Sequence, residues 1–332
     1  MIDKKSYVGQ LISLKIPTIE FSEAFAPSNI ALCKYWGKRN LDLNIPSTPS
    51  LSISLGNRGT KVQLSIAPQN SLSINGKCIA QESPVFKRTF DFIELLVPKN
   101  IKLSVQSENN IPTAAGLASS ASFFAALTIS LDKLCSWKVS LQTLSCLARL
   151  GSGSACRSLH HGFVKWLSCD DPFQSYGIPM DVQWEELRIG LLIFDDKEKL
   201  MPSRQAMLHT QNTSSLYQSW CENSNSDFEI FHNAIEKKNF QALGETAEYN
   251  ALSLHAVMLS ARPAIIYSQP ETLKAIIKIH VLRQNGIQVY FTQDAGPNLK
   301  LIFLENDLEC ILEDFPRMEV INPFSRVDNL ST

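Results

Sequence analysis

The sequence predicts an α+β protein, and three observations point that way. Short runs alternate apolar and polar residues with the period of two that strands show: "SLSISL" (50–55), "KVQLSI" (61–66), "IKLSVQS" (101–107) and "IQVYFTQ" (287–293). Other stretches space their apolar residues as a helix does, among them Leu117, Phe124, Leu127, Leu131 and Leu134. The two kinds are mixed without a strict strand–helix–strand rhythm, which separates this pattern from a doubly wound parallel sheet.

Taken in chain order, the N-terminal stretch is broken by Asp3, Lys4, Lys5 and Lys15 and holds no apolar core of signal-peptide length. The strands at 50–55 and 61–66 follow, then the one at 101–107. Pro112 disfavours helix at Ile111, so the chain runs extended into a helix that starts around 117–120 and ends before Trp137. "GFVKW" (162–166) reads as a strand. "PMDVQWEELRIG" passes from a turn-rich region into the apolar strand "LRIGLLIF", which places a domain boundary near residue 185. The chain then divides into 1–185 and 186–332, with a shared cleft as the expected ligand site. "CENSNSD" (221–227) is the most polar segment and is expected to be a surface loop. Asp227 is placed to cap a helix bearing Phe228, Phe231, Ile235 and Phe240.

Composition narrows the function classes. A chain of 332 residues, 44% of them apolar, has ample material for a core. A net charge of −1 advertises neither nucleic acid nor an anionic membrane as partner. No apolar run has the length of a bilayer span. Eight cysteines are scattered without a CxxC pair, which reads as reduced thiols in a cytoplasmic protein. Six histidines occur without an HExxH pattern, so no zinc site is expected.

Five segments carry groups suited to chemistry, and each has a plain structural reading beside the functional one. "NNIPTAAGLASSAS" (109–122) brings small residues, Gly116, Ser119 and Ser120 to a helix start, where unpartnered N–H groups and the helix dipole favour an anion. Tight packing with a serine cap explains the same residues. "RLGSGSACRS" (149–158) supplies Ser152, Ser154 and Arg157, whose planar fork suits a carboxylate or phosphate; the alternative is a polar turn with a solvated arginine. "APSNIALCKYWGKRN" (26–40) concentrates Lys34, Lys38 and Arg39 beside Tyr35 and Trp36, as an anion site or an exposed basic turn. "FTQDAGPNLKLIFL" (291–304) is by default a hairpin turn between strands. Its other reading puts Asp294 at a strand end, aimed into a cleft and able to orient or deprotonate a hydroxyl. "DDKEKLMPSRQAM" (195–207) is a charged loop that carries Ser203 and Arg204. Together these list phosphate cradles, arginines, lysines and one isolated carboxylate, the inventory of phosphoryl transfer, where positioning and charge neutralisation dominate.

Five of these motifs, "APSNIALCKYWGKRN", "NNIPTAAGLASSAS", "RLGSGSACRS", "PSRQAM" and "DAGPN", resemble those of the diphosphomevalonate decarboxylases in the same order, over about residues 24–305. That family belongs to the superfamily of galactokinase, homoserine kinase, mevalonate kinase and phosphomevalonate kinase. The resemblance implies a two-part α+β fold in which an N-terminal ATP-binding half of strands and helices meets a ferredoxin-like C-terminal half across a deep cleft. It implies ATP-dependent decarboxylation of mevalonate 5-diphosphate, with magnesium, and a homodimer. By motif, Asp294 would contact the 3-hydroxyl, Lys34 would sit beside it and the transferring phosphate, and Arg157 would hold the substrate carboxylate with Ser152 and Ser154. Tyr35, Lys38, Ser203 and Arg204 would bind the diphosphate, and Gly116, Ser119 and Ser120 the ATP phosphates. No residue is assigned to the metal. Two departures stand out: Ala206 replaces a frequent glycine, and "PSTPSLS" (46–52) lacks a frequent asparagine, which leaves that loop's contacts open.

Overall fold

The elements of the computed structural model, which describes residues 2–111, 119–195 and 201–324, begin with α1 (Lys4–Leu11), β1 (Phe21–Cys33), β2 (Lys38–Asn40), β3 (Ile45–Pro46) and β4 (Ser50–Ile66). Next come β5 (Ser71–Ile74), β6 (Lys77–Cys78), α2 (Pro84–Leu96), β7 (Leu103–Asn109), α3 (Ser119–Cys135) and α4 (Leu141–Gly151). A 3-10 turn (Gly153–Arg157), β8 (Phe163–Trp166) and β9 (Gly177–Pro179) follow. Beyond them lie β10 (Leu187–Leu192), α5 (Ser203–Thr213), α6 (Tyr217–Glu236), α7 (Phe240–Leu259), α8 (Pro270–Gln284), β11 (Val289–Gln293), β12 (Leu299–Leu304), α9 (Leu308–Asp314) and β13 (Glu319–Ile321).

Two main sheets result. The first is seven-stranded, in the order β6-β5-β7-β4-β8-β9 with β1 paired to β4. The second is four-stranded, β11-β12-β10-β13, and its pairs are antiparallel. This is the two-part α+β arrangement that the sequence predicts, with a ferredoxin-like C-terminal half.

The runs at 50–55 and 61–66 belong to one strand, β4. "GNRG" between them bulges outward: Asn29 pairs with Ser54, but Pro27 pairs with Gly59. Gly59 is required there, because a Cβ would lie 2.1 Å from the carbonyl oxygen of Ala26. Helix α3 packs on β1, β4 and α4, and it ends before Trp137, where Ser136 turns to a φ of 47°.

Two expectations for α6 are corrected. Residues 221–227 are not a surface loop but the middle of this helix, and Asp227 is not its cap. The inward face runs Tyr217, Trp220, Ser224, Asp227, Phe228, Phe231 and Ile235, a helical period interrupted by two polar members in its middle. Those polar residues are buried rather than solvated, so a reading based on apolar periodicity starts the helix about three turns too late. Phe240 starts α7 instead of continuing α6.

The core does not divide where the sheets do. One apolar cluster joins Ile30 and Leu32 of β1 and Leu51 and Ile53 of β4 to Ile189 of β10, Phe231 of α6, Leu243 of α7 and Ile302 of β12. Packing of both halves onto this shared cluster sets the relative positions of the strand ends that carry the site.

Candidate active site

Three chain segments meet at the site: the end of β1, the end of the 3-10 turn and the β11–β12 connection. Lys34 follows directly on β1. Its backbone N–H donates to Asn250 Oδ1 at 2.9 Å, and Asn250 Nδ2 donates in turn to Asp227 Oδ2 at 2.8 Å. Its Nζ donates to the carbonyl of Ala31 at 2.8 Å and to Asp294 Oδ1 at 2.8 Å. Asp294 lies just past β11 in the Asp-Ala-Gly-Pro-Asn turn, and its Oδ2 accepts from Lys300 Nζ at 2.9 Å. His255 of α7 places Nε2 3.1 Å from the Asp294 carbonyl.

Exposure tells which way this cluster faces. The Asp294 side chain is 25% accessible, whereas those of Lys34 and Lys300 are 3% and 2% accessible, so the carboxylate opens outward and both ammonium groups back it. Burial pushes the Asp294 carboxyl up, but Lys300 and Lys34 together outweigh burial and hold it well below the usual range. Burial pulls Lys34 down, and Asp294 opposes that pull. Burial lowers His255 to about 4, which leaves a neutral imidazole at pH 7.

Arg157 ends the 3-10 turn and is 1% exposed. Its Nε donates to Ser52 Oγ at 2.9 Å, its Nη1 to Ser50 Oγ at 2.5 Å and its Nη2 to Asn29 Oδ1 at 3.4 Å. Its guanidinium carbon stands 5.8 Å from the Trp166 ring centroid. Among the described residues no carboxylate pairs with it. Burial depresses its pKa, and Asp294 acts in the opposite sense. Ser152 and Ser154 are not its hydroxyl partners. Ser152 Oγ lies 3.3 Å from Ser120 Oγ at the start of α3, and the Ser154 carbonyl accepts from Asn29 Nδ2 at 3.4 Å.

The basic residues gather on the other side of the 3-10 turn. Lys38, the first residue of β2, is buried and donates to Asn44 Oδ1 at 2.6 Å. Burial first, then Arg204 and Arg88, push Lys38 down to about 7. Lys38 and Arg204 line one pocket with Leu41, Met207, Leu208 and Gln211. Arg88 of α2 donates to the Gly151 carbonyl at 2.7 Å. The Tyr35 hydroxyl is buried and has no hydrogen-bond partner among the described residues. A Cβ on Gly153 would stand 2.5 Å from it, so only glycine lets the turn pass over this ring.

Ser203 and Arg204 open α5, which is tied to the lysine segment by Trp36 Nε1 donating to Thr210 Oγ1 at 2.8 Å and by Gln211 Nε2 donating to the Lys38 carbonyl at 3.2 Å. Ala206 is helical and absent from the residues with positive φ, so alanine fits where the motif often has glycine. Gly116 lies outside the described residues. Ser119 is the first residue of α3, whose first turn holds no acidic residue, and Ser120 reaches the Ser152 hydroxyl. A helix start with two hydroxyls suits a phosphate, and those oxygens also suit a hard cation.

Several site residues escaped the sequence reading. Lys300 sits inside the apolar run "LKLIFL", and a lysine in a fully buried strand is the signal that was available. Ser50 and Ser52 share one face of an alternating strand, a face of small hydroxyls that turns inward to Arg157 instead of outward to water. Asn29, Arg88 and Asn250 gave no local signal, because their partners are distant in sequence.

Known proteins match both halves of the chain. Residues 26–177 match the family model "Diphosphomevalonate decarboxylase-like N-terminal domain", and residues 189–328 match "Mevalonate 5-diphosphate decarboxylase C-terminal domain". The chain is 36% identical over 317 residues to the diphosphomevalonate decarboxylase of Debaryomyces hansenii, covering 88% of this chain and 81% of that one. With the Saccharomyces cerevisiae diphosphomevalonate decarboxylase the identity is 33% over 316 residues, covering 87% and 80%. The mevalonate diphosphate decarboxylase structure from Staphylococcus aureus superposes with a TM-score of 0.86 at 31% identity, covering 91% of this chain and 95% of that chain. A structure described as MDDEF in complex with MVAPP, AMPPCP and magnesium gives 0.85 at 34% identity, covering 91% and 96%.

Proposed function

The chain belongs to the diphosphomevalonate decarboxylase family, and from that premise we propose which of its residues carry each step. The reaction is the ATP-dependent decarboxylation of mevalonate 5-diphosphate to isopentenyl diphosphate, with ADP, phosphate and carbon dioxide released, in the mevalonate route to isoprenoids. A tertiary hydroxyl is a poor leaving group, and phosphorylation makes it a good one. When the C–O bond to that phosphate breaks, positive charge develops at the tertiary carbon. The electrons of the C–C bond to the carboxylate then form the alkene as carbon dioxide departs.

One observation carries the assignment of roles. Arg157 is a buried guanidinium whose partners among the described residues are neutral oxygens, and it feels the charge of a carboxylate that two ammonium groups back. Arg157 takes the substrate carboxylate and fixes the bond that must break. Asp294 accepts the hydrogen bond of the 3-hydroxyl. A carboxyl held so far below its usual range is a weak base, so it chiefly orients the oxygen, and its proton leaves in concert with attack. Lys34 offsets the charge that develops on the transferring phosphate. Tyr35, Lys38, Ser203 and Arg204 bind the diphosphate, and Arg88 joins them through its nearness to Lys38. Gly116, Ser119 and Ser120 bind the ATP phosphates, and Ser152 joins them through its contact with Ser120. Magnesium would neutralise phosphate charge, and the Ser120 and Ser152 hydroxyls would be the described oxygens available to help hold it.

Three finer readings go with this one. The chain forms a homodimer, acts in a reducing cytoplasm and divides near residue 185. The described cysteines are all unpaired, which supports the second, and the first sheet ends at Pro179 where the next begins at Leu187, which supports the third. Among the described residues no helix is long and apolar enough to cross a membrane. Sedimentation at micromolar concentration tests the dimer.

The deciding assay incubates the protein with ATP, magnesium and each mevalonate ester, and follows ADP and carbon dioxide together. Equal release of both from the diphosphate is expected. ADP without carbon dioxide would mark a kinase, and turnover of the monophosphate alone would change the substrate.

A further inference from the structure

Asp294 has two ammonium partners where the reaction as assigned uses one. They reach it from different parts of the fold. Lys34 comes from the N-terminal half, across 260 residues of sequence, and binds Oδ1. Lys300 comes from the same hairpin as Asp294 and binds Oδ2. In that hairpin Lys300 pairs with Thr292, two residues before Asp294, so β11 and β12 deliver the ammonium and the carboxylate as one rigid unit. Lys300 is 2% exposed and faces inward, unable to reach solvent or to meet an incoming substrate before Asp294 does.

Lys34 cannot serve both its neighbours without loss. If it turns to the transferring phosphate, it loosens its hold on Asp294, and a buried carboxylate left without a counter-charge either takes up a proton or swings away. The second ammonium removes that conflict.

We propose that Lys300 is a positioning residue for the reaction: it anchors Asp294 from within the β11–β12 hairpin, so the carboxylate keeps its orientation and its charge while Lys34 engages the phosphate. The inference rests on the roles assigned above to Asp294 and Lys34. The charged and titratable groups facing Asp294 are Lys34 beyond β1, Lys300 on β12, His255 on α7 and Arg157 on the 3-10 turn. With Lys300 removed, burial of Asp294 is opposed by Lys34 and the more distant Arg157 alone.

The test compares wild type, Lys300→Met and Lys300→Arg by kcat and KM for carbon dioxide release. Methionine keeps the length of the buried chain and deletes its charge. Lys300→Met should lower kcat about tenfold or more, with KM for both substrates changed less than about threefold, and Lys300→Arg should restore most of the lost rate. A Lys300→Met kcat within about threefold of wild type overturns the proposal, and so does a fall that Lys300→Arg shares in full, since that marks a packing defect and not a lost charge. If methionine prevents folding, Lys300→Gln replaces it in the same comparison with the same two outcomes. Asp294→Asn run alongside separates the two levels of inference: full activity in that variant removes the site assignment itself, whereas an inactive Asp294→Asn with an unchanged kcat in Lys300→Met removes only the role of Lys300.

Discussion

Asp294 makes the sharpest residue-scale prediction, because its neighbours can be counted. Asp294→Asn deletes one negative charge and leaves Lys34 and Lys300 facing each other without a counter-ion in a buried place. Turnover should fall by a factor on the order of 10²–10³ or more, while ATP still binds. The melting temperature should also fall, which calorimetry checks; wild-type turnover would take Asp294 out of the mechanism. Lys38 makes a second prediction, on protons. Its folded pKa is depressed to about 7, through burial and then Arg204 and Arg88, so above that pH the free protein holds it neutral. A bound diphosphate favours the charged form and raises the pKa. Binding above pH 7 therefore takes up a proton and weakens by up to about tenfold per pH unit. Titration calorimetry of the diphosphate substrate at pH 8, in buffers of different ionisation enthalpy, should show uptake approaching one proton, and Lys38→Met should abolish it. Uptake that persists in Lys38→Met would assign the proton elsewhere.

At the scale of elements, α6 and α7 matter through the polar string that ties them to β1. Asp227 accepts from Asn250, and Asn250 accepts from the Lys34 backbone, so two helices set the direction in which the chain leaves β1. Asn250→Ala strands a buried N–H and a buried carboxylate. It should destabilise the protein by about 2–4 kcal/mol in urea unfolding and lower kcat, because the backbone of Lys34 loses its anchor. An unchanged midpoint would show that water replaces the amide. The same string explains what could and could not be read in advance. Where burial is apolar and local, as in α3 or β11, spacing alone marks the element. The inner face of α6 is interrupted by Ser224 and Asp227, whose partners lie on β1 and α7, so one-dimensional periodicity takes 221–227 for a loop. Arg157, Asp294 and Lys34 were visible because their motifs are contiguous. Ser50 and Ser52 were not, because only the fold brings β4 under the 3-10 turn that carries Arg157, and Lys300 was passed over inside an apolar strand.

For the whole molecule, the question is whether two sheets make two independent folding units. The central apolar cluster argues that they do not, since Ile30, Leu32, Leu51 and Ile53 of the first sheet bury against Ile189 and Ile302 of the second and against Phe231 and Leu243 of the helices. Separating the halves would expose these side chains together. That opposes independent unfolding, and it also joins stability to chemistry, because Lys34 and Asp294 follow directly on β1 and β11, strands that this cluster packs together. Ile302→Ala, at a position with no exposed surface, should cost about 2–5 kcal/mol. Urea unfolding followed by tryptophan fluorescence and by far-ultraviolet circular dichroism should give coincident curves in wild type and variant, both shifted by the same amount. Trp137 belongs to the N-terminal core and Trp184 to the shared cluster, so fluorescence samples more than one region. A variant in which the helical signal of one half is lost before the other would mean that the cluster seals an interface between separate domains. Loss of activity would then precede global unfolding, whereas a single core requires activity and structure to disappear at the same denaturant concentration.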